Sequence, residues 1–255
     1  MAKVDVVVIG GGKITDAAFR EAAGVECKSL IELHGRPMIE WVVQALRDST
    51  TVGRIAVIGP RALRETRLPR MADCLLDEGD HEVENLFKGM DALSESERIL
   101  MVTGDMSLLS PESIDDLSEN APPADIVYPA VTREAVLAEF PDRKWIFVKT
   151  TDGAFTGSSA VLFRPAVFRD HEDALRRVFD SRRSVMALVK MWGIGFALKF
   201  ALGMLALRDA ERRISEVLNV AGRAYVSHYA ALAFDVDKAS DIGLAEEKLR
   251  LREAS

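Results

Sequence analysis

The run Ile99–Thr103 has the character of a buried strand, and it ends in Gly104-Asp105 before a helix start at Ser110-Pro111-Glu112. Ser110 suits an N-cap, and Pro111 suits the first helical turn, where a missing N–H costs nothing. A strand that passes into a helix through a glycine and one carboxylate fits the carboxyl edge of an open α/β sheet, where ligands bind. One carboxylate at that edge can hold a hard cation beside a phosphate. Many α/β proteins carry such a turn, so its meaning depends on two other segments.

The first segment opens the chain. Val4–Ile9 is rich in β-branched residues and leads directly into Gly10-Gly11-Gly12-Lys13. Glycines after a first strand let backbone N–H groups approach phosphate oxygens with no Cβ in the way. A dinucleotide fingerprint would require a third glycine where Thr15 stands, and no Gly-Lys-Ser/Thr occurs here for a Walker loop. Downstream, Lys28-Ser29-Leu30 and Gly35-Arg36-Pro37-Met38-Ile39 precede a helix whose apolar positions Ile39, Val42, Val43 and Leu46 share one face. The second segment is Ala233-Phe234-Asp235-Val236-Asp237-Lys238-Ala239-Ser240-Asp241, a carboxylate-rich turn ahead of the last helix.

Glycine-rich loop, Lys-x-Leu, Gly-Arg-Pro-Met-Ile, strand-end Gly-Asp and late Asp-Val-Asp, in this order, resemble the MobA-like NTP transferase superfamily. The resemblance spans roughly 4 to 249, with a poorly matched stretch between about 168 and 220. It implies a Rossmann-like α/β fold of the nucleotide-diphospho-sugar transferase type, a mostly parallel sheet wound with helices, with a helical insertion near 168–220. The chain reads as one nucleotidyltransferase domain over 1–255. The reaction implied is Mg²⁺-dependent transfer of an NMP from an NTP to a phosphorylated small-molecule acceptor, with release of pyrophosphate, an activity of the EC 2.7.7 type. Lys28, Asp105 and Asp237 become the catalytic candidates, with Asp105 and Asp237 as the Mg²⁺ ligands. Gly10, Gly11, Gly12, Lys13, Lys28, Asn85 and Asp105 would bind nucleotide, and Thr156 and Gly157 would border the acceptor. The family usually places an arginine in the glycine loop. This loop has none, which leaves Lys13 or Arg20 as substitutes, and Lys238-Ala239 stands where Thr-Pro is usual.

Two other readings are weighed. A sugar-nucleotide-dependent glycosyltransferase on the related fold would carry Asp-x-Asp after a mid-chain strand, where this chain has Gly104-Asp105-Met106. A non-catalytic nucleotide-binding protein would account for the missing loop arginine.

The 255 residues carry a net charge of −7, so nothing advertises a nucleic-acid partner. Cys27 and Cys74 form no metal-ligand pattern, and His34, His81, His171 and His228 make no ligand cluster. Met1-Ala2-Lys3 leads straight into the first strand with no signal peptide, so a cytoplasmic chain is expected. Arg61, Arg64, Arg67 and Arg70 read as a solvated surface. Further strands are expected at 54–58, 126–129, 145–148, 160–163, 224–227 and 232–234. The apolar stretch 185–207 is long enough for a bilayer, but Lys190 and Lys199 interrupt it. It is read as a helical lobe beside the site and not as a membrane span. Contact with anionic lipid and homo-oligomerisation both stay open.

Overall fold

A computed structural model describes residues 3–169, 171–181 and 193–253. In chain order the strands are β1 (Val4–Ile9), β2 (Glu32–Leu33), β3 (Arg36–Pro37), β4 (Val52–Gly59), β5 (Cys74–Asp77) and β6 (Ile99–Thr103). They continue with β7 (Ile126–Thr132), β8 (Val148–Thr150), β9 (Gly153–Thr156), β10 (Val161–Phe163) and β11 (Gly222–Ser227). Helices α1 (Ala17–Ala23), α2 (Met38–Asp48), α3 (Leu68–Met71), α4 (Glu82–Ala92), α5 (Pro111–Asn120) and α6 (Arg133–Glu139) alternate with them.

β5, β4, β1 and β6 lie side by side in parallel. β10 then runs antiparallel to both β6 and β7, so β7 points the same way as β6. β11 continues in parallel along β7. This is the mostly parallel α/β sheet expected from the sequence. β9 joins β7 beyond β10, and β8 pairs only with β9.

Both faces of the sheet are covered, which explains the apolar runs 6–9, 55–58 and 99–102 in its inner strands. Val6, Val8, Val57 and Val102 point to the face under α2, α5 and the last helix, Ala239–Glu253. Val7, Ile58, Ile126 and Phe163 point to the other face, with Leu86 and Met90 of α4, Phe168, Leu175 and Leu218. Those last three belong to helices Pro165–Arg169, Glu172–Ser181 and Leu207–Leu218, all in or beside the poorly matched stretch.

The structure corrects several local expectations. Residues 230–232 form a 3-10 turn in place of the strand expected at 232–234. The strand expected at 145–148 begins only at Val148, because residues 144–147 are irregular. β5 and β9 were unanticipated, as was the β2–β3 hairpin, whose His34 (φ 52°) and Gly35 (φ 69°) make a two-residue turn of the mirror-image kind. The segment 185–207 lies partly outside the described residues. Its described part is a helix, Ile194–Ala201, that stops at Leu202 and Gly203 (φ 66°) before a new helix at Leu207. Among the described residues no helix is long and apolar enough to cross a membrane.

One side chain ties α5 to the junction between α2 and β4. Asp115 accepts from the hydroxyls of Ser49 (2.5 Å), Thr50 (2.8 Å) and Thr51 (2.8 Å) and from the Thr50 and Thr51 amides. Partial burial would raise its pKa, but these donors outweigh burial and hold the carboxyl well below the usual range. A depressed folded value means the charged form stabilises the fold above the unfolded pKa, and the gain is lost as pH falls toward the folded one. Asp115→Ala should therefore cost about 1–3 kcal/mol near neutral pH. Urea denaturation should show the gap to wild type narrowing below about pH 4; a gap unchanged in acid would assign it to packing.

Candidate active site

Three strands end in glycines that lie almost in contact. Gly10 follows β1, Gly59 ends β4 and Gly104 follows β6. A Cβ on Gly104 would stand 2.5 Å from Ser29 Oγ and 3.3 Å from the Gly10 Cα, and one on Gly10 would stand 2.6 Å from Ile39. The close approach lets Gly10 N–H reach Ile58 O (2.6 Å) and Gly104 N–H reach Ile9 O (2.9 Å). Beyond the buried Gly10, the turn emerges at the carboxyl edge, with Gly11 partly exposed and Gly12 and Lys13 exposed. The chain then doubles back: Lys28 N–H donates to Gly12 O at 3.0 Å, and Lys13 bridges to Cys27. Helix α1 starts only at Ala17, with Asp16 as its cap, so the glycine turn does not run directly into a helix.

Lys28 reaches from this loop to the two carboxylates singled out in the sequence. Its Nζ is 2.6 Å from Asp237 Oδ1 and 3.4 Å from Asp105 Oδ2. Burial by itself would lower the lysine pKa. The charge of Asp105 and the hydrogen bond and charge of Asp237 outweigh it and raise the value, so the ammonium stays protonated. Asp105 is oriented from both sides: Thr103 Oγ1 donates to its Oδ1 at 2.5 Å, and Val236 N–H donates to its backbone oxygen at 3.1 Å. The last contact straps the late Asp-Val-Asp turn directly to the Gly104-Asp105 turn.

Asp235 was passed over in the sequence although it begins that turn. Ser159 Oγ donates to it at 3.0 Å, and its pKa is pushed up to about 6. Desolvation is the main cause, followed by the charges of Asp237 and Asp105. Ser159 and Arg143 offset only part of this. The Thr156-Gly157 turn comes to the same place through Ser159 and through Tyr128, whose hydroxyl accepts from Ser158 N–H at 3.1 Å. Gly157 is required there, since a Cβ would stand 2.5 Å from that hydroxyl.

The other candidates lie on the opposite flank of the glycine turn. Asn85 is buried and spends its Oδ1 on Gly79 N–H at 2.6 Å, shaping the 78–81 loop. That loop brings the Glu78 carboxylate against Gly11, a neighbour the sequence did not reveal. Lys13 is exposed on the turn, and Arg20 is exposed on α1. Arg61, Arg64, Arg67 and Arg70 are all exposed, as a solvated surface requires, and Arg61 and Arg64 pair with Asp77 at the end of β5. Cys27, whose Sγ–H points at Gly10 O at 3.6 Å, has its thiol pKa pushed up by burial, the opposite of an activated thiolate.

The donor set suits a hard cation. Asp105 and Asp237 offer oxygen ligands, and Mg²⁺ commonly takes one or two carboxylates with the remainder from phosphates and water. Among the described residues no group of three or more His, Cys, Asp or Glu side chains is gathered to hold a metal by protein alone.

Comparison with known proteins gives this arrangement its class. The profile of the MobA-like NTP transferase domain matches residues 7–233, and the chain belongs to that family. A 2-C-methyl-D-erythritol 4-phosphate cytidylyltransferase of Prochlorococcus marinus (strain MIT 9312) is 25% identical over 143 residues, covering 50% of this chain and 63% of the relative. The chain thus spans less than two thirds of the length of that curated relative. A hypothetical transferase from Thermus thermophilus superposes with a TM-score of 0.84 at 33% identity, over 94% of this chain and 99% of that one. CMP:2-keto-3-deoxy-manno-octonic acid synthetase complexed with CTP shares the fold, with a TM-score of 0.63 at 12% identity over 99% of this chain and 100% of that one.

The raised pKa of Asp235 has a signed consequence. The folded chain binds this proton more tightly than the unfolded chain, so the carboxyl's contribution to stability falls as pH rises from the unfolded value through about 6. Asp235→Asn should therefore raise the melting temperature at about pH 8 and change it little near pH 4. A gain of about 2–4 °C per kcal/mol relieved is expected for a chain of this size. Equal effects at both pH values would show that Asp235 carries no unfavourable charge.

Proposed function

We propose that this protein is a nucleotidyltransferase that moves an NMP from an NTP to a phosphorylated small-molecule acceptor and releases pyrophosphate. The observation that carries the reading is the Lys28 ammonium held between Asp105 and Asp237 at the carboxyl edge, one short turn from the Gly10–Gly12 backbone. Family membership supports it. The chain is treated as one catalytic unit, with the helices Pro165–Arg169, Glu172–Ser181 and Leu207–Leu218 packed on its α4 face.

An acceptor phosphate is already anionic near neutral pH, so its oxygen needs no strong general base to attack the α-phosphorus. This agrees with a site whose phosphate-facing groups are a lysine ammonium and backbone N–H donors. What the reaction requires is alignment and neutralisation of the growing charge on the departing pyrophosphate. The amides of Gly11 and Gly12 would cradle the phosphates, while the Gly10 N–H is held by Ile58 O and fixes the start of the turn. Lys28 would turn its ammonium toward them, with Lys13 as the basic side chain in place of the usual loop arginine. Asp105 and Asp237 would hold Mg²⁺, which would supply charge neutralisation at the phosphate oxygens. The Thr156-Gly157 turn, anchored through Ser159 and Tyr128, would face the acceptor, and Asn85 would support the base through the loop it shapes.

The primary test is pyrophosphate release from each NTP with Mg²⁺ across a panel of phosphorylated acceptors. Asp105→Ala and Asp237→Ala should each abolish release with the fold intact by circular dichroism. Lys28→Ala should slow the chemical step by about 10²–10³-fold, as loss of a transition-state donor does. Lys28→Arg should recover little, because a planar fork does not replace a compact ammonium. Near-wild-type turnover in either aspartate variant would end the two-carboxylate reading. Nucleotide release from a sugar nucleotide, with no pyrophosphate from any NTP, would move the protein to glycosyl transfer.

A further inference from the structure

Arg143 sits on no regular element. It follows α6 in an irregular connection, yet its side chain is only 8% exposed. Its Nε and Nη2 donate to the two oxygens of Asp241, each at 3.1 Å, and Nη2 also donates to Asp235 O at 2.9 Å. The guanidinium carbon lies 4.2 Å from the ring centre of Trp145 and 4.9 Å from that of Phe234. Asp241, 1% exposed, uses Oδ2 a second time to accept the Asp237 N–H at 3.1 Å. One guanidinium therefore grips the Asp-Val-Asp turn at 235 directly and at 237 through Asp241.

This grip matters because packing does not hold the Asp237 side chain, which is 58% exposed. Where its carboxylate points follows from the backbone at 235–237. That backbone is fixed by the Arg143–Asp241 pair, the buried Val236 and the Val236–Asp105 strap. Lys28 at the far side responds to the carboxylate but cannot locate it, since four flexible methylenes carry its ammonium.

We propose that Arg143 is a positioning residue for the transfer site. Clamped to Asp241 and stacked between Trp145 and Phe234, it sets the Asp235–Asp237 turn so that the Asp237 carboxylate faces Lys28 and Asp105. The proposal rests on the nucleotidyl-transfer reading for its kinetic consequence. Its structural half requires only that Asp105 and Asp237 share a cation. A lysine at 143 keeps the charge but loses the fork that spans Asp241 and Asp235 O together, and its stacking on the rings is weaker.

The test compares wild type, Arg143→Lys, and the pair Arg143→Met with Asp241→Asn, which leaves no buried charge unpaired if the lysine variant fails to fold. Melting temperature, Mn²⁺ affinity in the presence of NTP by electron paramagnetic resonance, and the kcat and KM of pyrophosphate release are measured on each. In both variants, Mn²⁺ affinity and kcat should fall by about 10–100-fold, as for other residues that orient metal ligands. KM for NTP should stay within about twofold, because the glycine turn and Lys13 are untouched. A folded variant with wild-type Mn²⁺ affinity and kcat would overturn the proposal. So would a lowered melting temperature with both parameters unchanged, which would make Arg143 a purely structural residue. If wild type binds Mn²⁺ and NTP but releases no pyrophosphate, the transfer reading fails, and the Mn²⁺ affinities of the variants still decide the role of Arg143. If wild type does not bind Mn²⁺ with NTP at all, both proposals fall.

Discussion

The contact on which the site depends is the Lys28 ammonium lodged between Asp105 and Asp237. Asp105, Asp235 and Asp237 come from two turns brought together by the sheet, and like charges at such range oppose each other. The Asp235 pKa is raised first by burial and then by the charges of Asp237 and Asp105, and that of Lys28 is raised, against its burial, by Asp105 and Asp237. A positive charge between the carboxylates therefore offsets their mutual repulsion, and Lys28 supplies it. The sheet can bring the carboxylates so near only because Gly10, Gly59 and Gly104 let three strand ends close up beneath them.

Features fixed by local chemistry were legible in the sequence. β1 and β6 declared themselves because strands covered on both faces are apolar throughout, and α5 because Ser110 and Pro111 form a recognisable start. The 230–234 run misled for the same reason: a short apolar stretch has no period long enough to tell a buried turn from a strand. β5 and β9 were missed because four residues are too few to show a period.

At the site, Lys28, Asp105 and Asp237 were found by motif order, and the structure brings them within hydrogen-bonding reach. Asp235, Glu78 and Arg143 were not found. Each acquires its meaning from a remote partner: Asp235 from Ser159, Glu78 from Gly11, and Arg143 from Asp241, ninety-eight positions along the chain. The Asp-x-Asp spacing of 235 and 237 was the one available signal, and it pointed to the turn without showing which member bears the burden.

Arg143 also accounts for a departure that the sequence exposed without resolving. Where the family usually has Thr-Pro after the second aspartate, this chain has Lys238-Ala239. Proline fixes φ and stiffens a turn through its own ring, so its replacement frees the backbone where the carboxylate must be aimed. The local hydrogen bond that remains, Asp241 N–H to Lys238 O at 2.9 Å, closes the turn but does not orient it. The buried guanidinium supplies orientation from outside, through Asp241 at one end and Asp235 O at the other. With Arg143 as the positioning residue, the turn takes its direction from a tertiary contact made at Asp241 and Asp235 O, beside the rings of Trp145 and Phe234.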